Sequence, residues 1–246
     1  MTFRAKTFFY FQYSVGRLAV FLTIPLIVMA IWLFRYKICE VDQVRKKVAQ
    51  LFEAHKGPWL ICPNHLTMID SAILAYAMIN PVKYIFQYRL LPWNMPERMN
   101  YSGNIFVVLI CYLMKCIPVV RGGDRGGIRN VLGKCRYLMN RKQNLMIFPE
   151  GTRSRDGRVK TIDFPYSSGR LFLTVPGARV MCIYFRGKNQ ETFSGIPSYK
   201  ERFFMAVEEI FPQTSLKGLR AQRDISYQII KHLSGMEDAY FAACGK

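Results

Sequence analysis

Acidic residues are scarce in this sequence: 16 Asp and Glu stand against 35 Lys and Arg, which gives a formal net charge of +19 at pH 7. A positive field of this size favours an anionic partner, either nucleic acid, an anionic membrane surface or a phosphorylated substrate. None of the signatures of nucleic-acid-binding modules is present, and 51% of the residues are hydrophobic. We therefore expect membrane lipid and an acidic substrate as partners, and no nucleic acid.

Several signatures of catalysis and ligand binding are also missing. The sequence has no G-x-G-x-x-G and no Gly-Lys-Ser/Thr, which argues against a dinucleotide-binding fold and a P-loop. It has no G-x-S-x-G, which argues against a serine hydrolase. Its histidines lie far apart and its seven cysteines include no C-x-x-C, so we predict no metal site. The odd number of cysteines, several of them within apolar runs, predicts reduced thiols and a catalytic domain that faces the cytoplasm.

One long uncharged run is present from Leu18 to Phe34, and its sequence is LAVFLTIPLIVMAIWLF. As a helix it would measure about 25 Å, close to the shortest helix that crosses a bilayer core of about 30 Å. The run exceeds the h-region of a signal peptide and no A-x-A site follows it, so we favour an uncleaved anchor. Arg17 flanks one end, and Arg35 and Lys37 flank the other. Because both flanks are basic, a helix that spans the bilayer and one that lies in a single leaflet both fit.

Short apolar runs alternate with helical patterns along the rest of the chain. This alternation predicts an α/β fold with a mixed, mostly parallel sheet flanked by helices. The predicted strands are 59–62, 84–86, 117–120, 145–148, 180–185 and 203–207. The predicted helices are 44–52, 66–79, 105–114, 128–138 and 220–233, of which the nearly all-apolar 105–114 is expected to be buried or interfacial. The composition changes near residue 37, so we predict a membrane anchor over residues 1–37 and the α/β domain over residues 38–246.

The first motif, N-H-L-T-M-I-D over residues 64–70, lies where a predicted strand gives way to a helix. On a regular helix, His65 and Asp70 would be about 140° apart. They can meet only if His65 lies in the turn and Asp70 in the first turn of the helix. The carboxylate would then accept the Nδ1 proton and leave Nε2 as a general base. Thr67-x-x-Asp70 is also a capping-box pattern, so capping of the helix by Asp70 is the alternative.

The second motif, F-P-E-G-T-R-S over residues 148–154, also follows a predicted strand. Gly151 lets the backbone come close to a ligand. Thr152 and Ser154 offer hydroxyl groups, and Arg153 offers a planar guanidinium that matches phosphate. A solvated basic loop is the alternative. Arg121 follows a third predicted strand beside two glycines, and it could provide a second contact to phosphate.

These blocks, in this order and with about eighty residues between the first and the F-P-E-G-T-R-S block, strongly resemble the glycerol-phosphate acyltransferase superfamily. The resemblance is closest to the 1-acylglycerol-3-phosphate acyltransferases, and it extends from about Trp59 to Arg186. F-P-E-G-T-R-S matches the family at all seven positions. The fourth block differs, because residues 179–184 contain no proline.

The resemblance implies that His65 deprotonates the acceptor hydroxyl and that Asp70 orients His65. The hydroxyl would attack the thioester of acyl-CoA or acyl-carrier protein, which is a co-substrate, and no cofactor is implied. The implied site for the acceptor's phosphate consists of Arg121, Glu150, Gly151, Thr152 and Arg153. The family is also similar in its membrane-embedded N-terminal helices.

The expected reaction is therefore acyl transfer to 1-acylglycerol-3-phosphate, which gives phosphatidate at a membrane. Two alternatives stay open. One is an acyltransferase that acts on another lysolipid or on a non-glycerol acceptor. The other is a non-catalytic protein that binds membrane lipid.

Overall fold

A five-stranded mixed sheet forms the centre of the protein, in the order β1-β5-β4-β2-β3. The computed structural model describes residues 3–120 and 125–244. Neighbouring strands are parallel except β4 and β5, which are antiparallel. The strands are β1 (Lys37–Ile38), β2 (Trp59–Pro63), β3 (Leu145–Met146), β4 (Arg179–Gly187) and β5 (Arg202–Ile210). The predicted α/β class and mixed sheet are confirmed.

Helices cover both faces of this sheet. They are α1 (Phe3–Leu33), α2 (Val41–Ala54), α3 (Asp70–Met78), α4 (Pro81–Phe86), α5 (Ile105–Leu113), α6 (Arg125–Asn140), α7 (Ser167–Thr174) and α8 (Gly218–Cys244). Successive side chains of a strand point to opposite faces. Trp59 and Ile61 of β2 therefore pack with α1, α2 and α3, whereas Leu60 and Cys62 pack with α6, α7 and α8. Because both faces are covered, β2 is buried along its whole length.

Helix α1 begins 15 residues before the apolar run that predicted it, at Phe3 instead of Leu18. Within the described residues it is the one helix that is long and apolar enough to cross a membrane, judged by its length and composition. One stripe of α1 is buried against the rest of the protein along nearly its full length: Phe9, Gln12, Gly16, Val20, Thr23, Ile24, Ile27 and Ile31. The opposite side exposes large apolar side chains: Leu18, Phe21, Leu22, Leu26, Met29, Trp32 and Leu33. The buried residues follow one another mostly at intervals of three or four positions, which places them on one side of a helix.

Helix α5 was expected to be buried or interfacial. None of its nine residues is buried within the protein, and Ile105 and Phe106 are each 73% exposed. Asn104 caps its first turn, because the Asn104 side chain accepts the backbone N–H groups of Phe106 and Val107. Burial in the core is therefore excluded for this helix.

Two predicted strands are wrong. Residues 84–86 lie in α4, since Asn80 caps the helix and Pro81 occupies its first turn. The Tyr84 hydroxyl donates to the carbonyl oxygen of Ala75 at 2.8 Å, which holds this helix to α3. Residues 117–120 make only the isolated bridge between Glu97 and Val119. The ladder is interrupted because Pro96, on the facing segment, has no N–H group to donate to the carbonyl oxygen of Ile117.

Two helix boundaries also differ from the pattern. Helix α3 begins at Asp70, four residues after the predicted start, and α8 continues to Cys244, eleven residues beyond the predicted end. The helix α7 and the strand β1 were not predicted. They are eight and two residues long, too short for a periodic pattern to stand out.

Candidate active site

The two sequence motifs meet at one edge of the sheet. Strands β2 and β3 are parallel neighbours, so the loops that follow them leave the sheet at the same edge. His65 lies in the first of these loops, and Asp70 is the first residue of α3. The His65 Nδ1 and Asp70 Oδ2 atoms are 3.0 Å apart. The structure thus brings the two residues together in the arrangement that the five-residue spacing required.

Asp70 is fully buried and accepts several hydrogen bonds besides that of His65. Its Oδ2 atom accepts the backbone N–H groups of Leu66 and Thr67, each at 2.8 Å. The Thr67 hydroxyl donates to Oδ1. The N-cap of α3 is Ile69, and it has no side-chain capping bond. The N–H groups that Asp70 accepts belong to the loop before the helix, so Asp70 holds the loop of His65 instead of capping α3. With Oδ2 fixed, Nδ1 of His65 carries the proton and Nε2 is the free acceptor.

The imidazole of His65 is held on its flat side by Phe148. The two ring centroids are 4.0 Å apart and the planes are inclined by 22°, so the rings are stacked. The His65 side chain is 14% exposed, which leaves one part of the ring open to a substrate. Phe148 is the first residue of the second motif, and its contribution to the site was not predicted.

Asn64 fixes the start of the His65 loop to strand β4. Its side-chain amide donates to the carbonyl oxygen of Phe185 at 3.0 Å. Its Oδ1 accepts the backbone N–H of Phe185 at 2.7 Å. One side chain thus continues the ladder between β2 and β4 beyond Pro63, where β2 ends. The turn that carries His65 therefore starts from a rigid base.

Glu150 is buried and connects the second motif to the first. Its Oε1 accepts the backbone N–H of His65 at 2.8 Å, and its Oε2 accepts that of Lys160 at 3.0 Å. Burial raises the pKa of Glu150 to about 8, although the two backbone N–H groups lower it. The Ser154 N–H in turn donates to the carbonyl oxygen of His65 at 2.9 Å. Glu150 therefore sits beneath the site and positions its backbone.

The remaining residues of the second motif line the loop above Glu150. Gly151 has φ of 71°, and a Cβ atom there would lie 2.7 Å from Cγ of Pro165, so only glycine fits without strain. Thr152 is exposed. Arg153 donates to the carbonyl oxygen of Ser194 at 3.3 Å, and its guanidinium lies 5.4 Å from the centroid of the Phe193 ring. The fifth predicted phosphate contact, Arg121, lies outside the described residues.

The positive charge of this edge comes mainly from the loop after β3. Arg153, Arg155 and Arg158 follow one another within six residues. Asp156 is the acidic residue among them, and it accepts hydrogen bonds from the Ser154 hydroxyl at 2.7 Å and the Arg158 N–H at 3.1 Å. A histidine with a free Nε2 and a neighbouring loop rich in guanidinium groups are chemically suited to an acceptor that combines a hydroxyl with an anionic group.

The chain matches the Acyltransferase family model over residues 42–208, which is about two thirds of its length. The chain belongs to the acyltransferase family. The superfamily predicted from the motifs is thereby confirmed. A comparison with curated proteins gave no match. Both motifs of this acyltransferase, and the strands that carry them, lie within the matched residues, and the match supports acyl transfer as the general activity.

Asn64, Phe148 and Ser194 are among the contributors to the site of the acyltransferase that were not predicted as site residues. Asn64 and Phe148 stand inside the two motifs. The hydrogen-bonding side chain of Asn64 and the aromatic ring of Phe148 are the signals that could have identified them. Ser194 stands forty residues beyond the second motif, and no local pattern distinguishes it. Its carbonyl oxygen reaches Arg153 only because of the tertiary fold. Within the described residues, no group of three His, Cys, Asp or Glu could hold a metal ion.

Proposed function

We propose that this acyltransferase moves a fatty acyl group from acyl-CoA or acyl-carrier protein to a hydroxyl of a lysophospholipid. The acceptor we propose is 1-acylglycerol-3-phosphate, and the product is then phosphatidate. The observation that carries the proposal is the 3.0 Å contact between His65 Nδ1 and Asp70 Oδ2 beside a basic loop. Nε2 of His65 is left as the base.

The proposed chemistry needs no nucleophile from the protein. Nε2 of His65 takes the proton of the acceptor hydroxyl while its oxygen bonds to the acyl carbon. The bond between the acyl carbon and the thioester sulfur breaks, and the leaving sulfur takes the proton from His65. Asp70 stabilises the positive imidazolium in between, because its carboxylate stays on Nδ1. Glu150, Asn64 and Phe148 keep the imidazole in place.

Binding of the acceptor's phosphate is proposed for the loop around Gly151, Thr152 and Arg153, together with Arg121. A guanidinium binds two phosphate oxygens at once, and the open backbone at Gly151 permits close approach. In this proposal Glu150 acts through the backbone of His65, since both of its oxygens accept backbone N–H groups.

The membrane is the proposed location, with residues 1–37 as the anchor and residues 38–246 as the catalytic domain. Helix α1 carries the exposed apolar side chains that support this proposal. All seven cysteines are among the described residues, and all are free thiols. Free thiols support a catalytic domain on the cytoplasmic face.

The test is acyl transfer to 1-acylglycerol-3-phosphate in detergent or vesicles, with acyl-CoA and acyl-carrier protein supplied separately. We expect activity in the wild type and a loss of about a thousandfold or more in His65→Ala. His232→Ala is the matched control, because His232 lies in α8 and contacts Glu208 at 2.8 Å, away from the site. Equal activity in wild type and His65→Ala would contradict the proposed base.

The same assay separates the alternative acceptors. Comparable kcat/KM for lysolipids without a phosphate monoester would contradict the proposed acceptor and leave the acyl-transfer chemistry in place. Absence of transfer to every lysolipid and alcohol, with either donor, would favour a non-catalytic lipid-binding protein.

A further inference from the structure

A loop beside the active site exposes three large apolar side chains. Phe193 is 44% exposed, Ile196 is 55% exposed and Tyr199 is 57% exposed. The loop lies between β4 and β5, and we refer to these three residues as the apolar lip. Exposed apolar side chains clustered in one short loop indicate contact with a partner or a membrane.

The apolar lip is joined directly to the catalytic loop. The backbone N–H of Ser194 donates to the carbonyl oxygen of Leu66 at 3.1 Å, and that of Met68 donates to the carbonyl oxygen of Gly195 at 3.1 Å. These bonds flank the residue pair Thr67 and Ser194, which forms an isolated parallel bridge. The loop of the apolar lip is therefore hydrogen-bonded to the residues that directly follow His65. A molecule that covers the apolar lip lies next to the catalytic loop.

The other end of the same loop is joined to the end of α1. The Tyr36 hydroxyl donates to the carbonyl oxygen of Pro197 at 2.8 Å. The backbone N–H of Lys200 donates to the carbonyl oxygen of Phe34 at 2.8 Å. The last turn of α1 exposes Trp32 by 76% and Leu33 by 62%. The apolar lip thus continues the exposed apolar side of α1 towards the active site.

Basic residues border this surface. Lys37 and Arg202 are partners in the register of β1 and β5, and Arg35 and Lys200 precede them; all four are exposed. Glu201, the acidic residue among them, is buried, and its carboxylate accepts the backbone N–H of Arg202 at 3.0 Å. Apolar and aromatic side chains bordered by Lys and Arg are typical of a surface that meets anionic headgroups.

We propose that the apolar lip and the end of α1 enter one leaflet of an anionic bilayer together, with the four basic residues at the headgroups. This proposal rests on the proposed function. It places the exposed part of the His65 ring at the membrane surface, so that a lysolipid acceptor reaches Nε2 without its acyl chain leaving the bilayer. The apolar lip then favours acceptors that reside in the membrane over soluble ones.

The first experiment measures where the apolar lip lies, independently of catalysis. The full chain carries Trp32→Phe, which leaves the fully buried Trp59 and Trp93, and receives Ile196→Trp. Vesicles of phosphatidylcholine and phosphatidylglycerol contain brominated phospholipid as a quencher. We expect strong quenching of the introduced indole. The matched control is Leu219→Trp in the same background, because Leu219 is 65% exposed at the start of α8, and we expect no quenching there.

If the protein floats with the vesicles but the indole at position 196 is not quenched, the proposal is overturned. A second copy of the chain or another protein would then be what covers the apolar lip. Equal quenching in vesicles of phosphatidylcholine alone contradicts the role of the basic residues. Loss of the phosphatidylglycerol dependence in Lys200→Glu with Arg202→Glu supports that role.

The second experiment uses Ile196→Asp and compares kcat/KM for a long-chain acceptor in vesicles with that for a short-chain soluble acceptor. We expect the ratio of the two to fall about tenfold, through KM for the long-chain acceptor, because a charge replaces an apolar side chain that the proposal places in the bilayer. Leu219→Asp is the control, with no change in the ratio. An unchanged ratio in Ile196→Asp overturns the proposal. Absence of transfer to both acceptors in the wild type would instead remove the proposed function, and quenching would still decide where the apolar lip lies.

Discussion

One carboxyl oxygen of Glu150 accepts the backbone N–H of His65 at 2.8 Å. This bond spans 85 positions of the sequence and joins the two motifs that identify the family. The other oxygen accepts the backbone N–H of Lys160 at 3.0 Å. A single buried side chain therefore sets the position of the proposed base and shapes the loop that follows β3.

Replacing Glu150 with Gln tests this positioning role. The amide has one acceptor and one donor, so either His65 or Lys160 would lose its acceptor and face an N–H donor. We expect a loss of about 1–3 kcal/mol in the free energy of unfolding. We also expect kcat to fall by about tenfold to a hundredfold, because small displacements of a catalytic group are costly. Steady-state kinetics and denaturant unfolding measure the two effects.

The control for that variant is Glu53→Gln, since Glu53 is exposed on α2 and should leave both quantities unchanged. A Glu150→Gln enzyme with wild-type kcat would show that the carboxyl group is not needed to hold His65.

The stability of the protein should also depend on pH through Glu150. Burial raises the pKa of the folded carboxyl from 4.5 to about 8. Between these values the folded state holds a proton that the unfolded chain has released, so raising the pH favours unfolding. We expect the unfolding free energy to decrease as the pH rises from about 4.5 to about 8.

Burial also raises the pKa of Glu237, which acts in the same direction, so the wild type alone does not isolate Glu150. The difference between wild type and Glu150→Gln at each pH does. If the unfolding free energies of the two proteins change with pH in parallel across this range, the pH dependence is not due to Glu150.

Asp70→Asn should separate the proposed orienting role of Asp70 from its role in holding the loop before α3. The amide oxygen can still accept from the backbone N–H groups of Leu66 and Thr67, so the turn should form. The negative charge beside Nδ1 of His65 is lost, and an imidazolium is no longer stabilised. We expect kcat to fall by about a hundredfold to ten-thousandfold, with little change in KM for the acceptor.

Thr67→Val is the companion variant, because it removes only the hydroxyl that donates to Oδ1 of Asp70. It should lower kcat by no more than about tenfold. If Thr67→Val were as damaging as Asp70→Asn, packing of the turn would outweigh the charge of the carboxylate.

Gly151→Ala should damage the loop after β3 more than its backbone strain alone predicts. The residue has φ of 71° and its Cβ would meet Pro165 at 2.7 Å. Gly177 has the same φ of 71°, but nothing lies within 4 Å of a Cβ placed there. Gly177→Ala therefore measures the strain alone, about 1–2 kcal/mol. Thermal unfolding should show a larger loss for Gly151→Ala, and kinetics should show a raised KM for the acceptor only in that variant.

Arg153→Lys should test how the acceptor's phosphate is bound. Lysine keeps the charge but cannot bind two oxygens with a planar fork. We expect KM for 1-acylglycerol-3-phosphate to rise about tenfold, with kcat less affected. Arg155→Lys is the control, because Arg155 is exposed in the same loop. Equal effects of the two substitutions would indicate a general positive field rather than a specific contact.

The sequence alone was sufficient to predict the fold class and the family. The reason is that both rest on local information: alternating apolar runs mark strands and helices, and the two motifs are contiguous segments. Local patterns did not predict the short elements correctly. Residues 84–86 are apolar enough for a strand, yet Asn80 and Pro81 start a helix there. Residues 117–120 cannot form a continuous ladder because the segment that faces them contains Pro96, which has no N–H group.

The sequence by itself determined which residues we propose for the chemistry, since His65, Asp70 and Arg153 stand in recognisable motifs whose order along the chain is fixed. Only the tertiary structure decided how they are held: Glu150 beneath His65, Phe148 against its ring, and Ser194 beside Arg153. It also decided that one stripe of α1 packs on the catalytic domain while the other faces outward. The physical reason is that these contacts join residues distant in sequence, which are brought together only when the sheet forms and its two faces are covered.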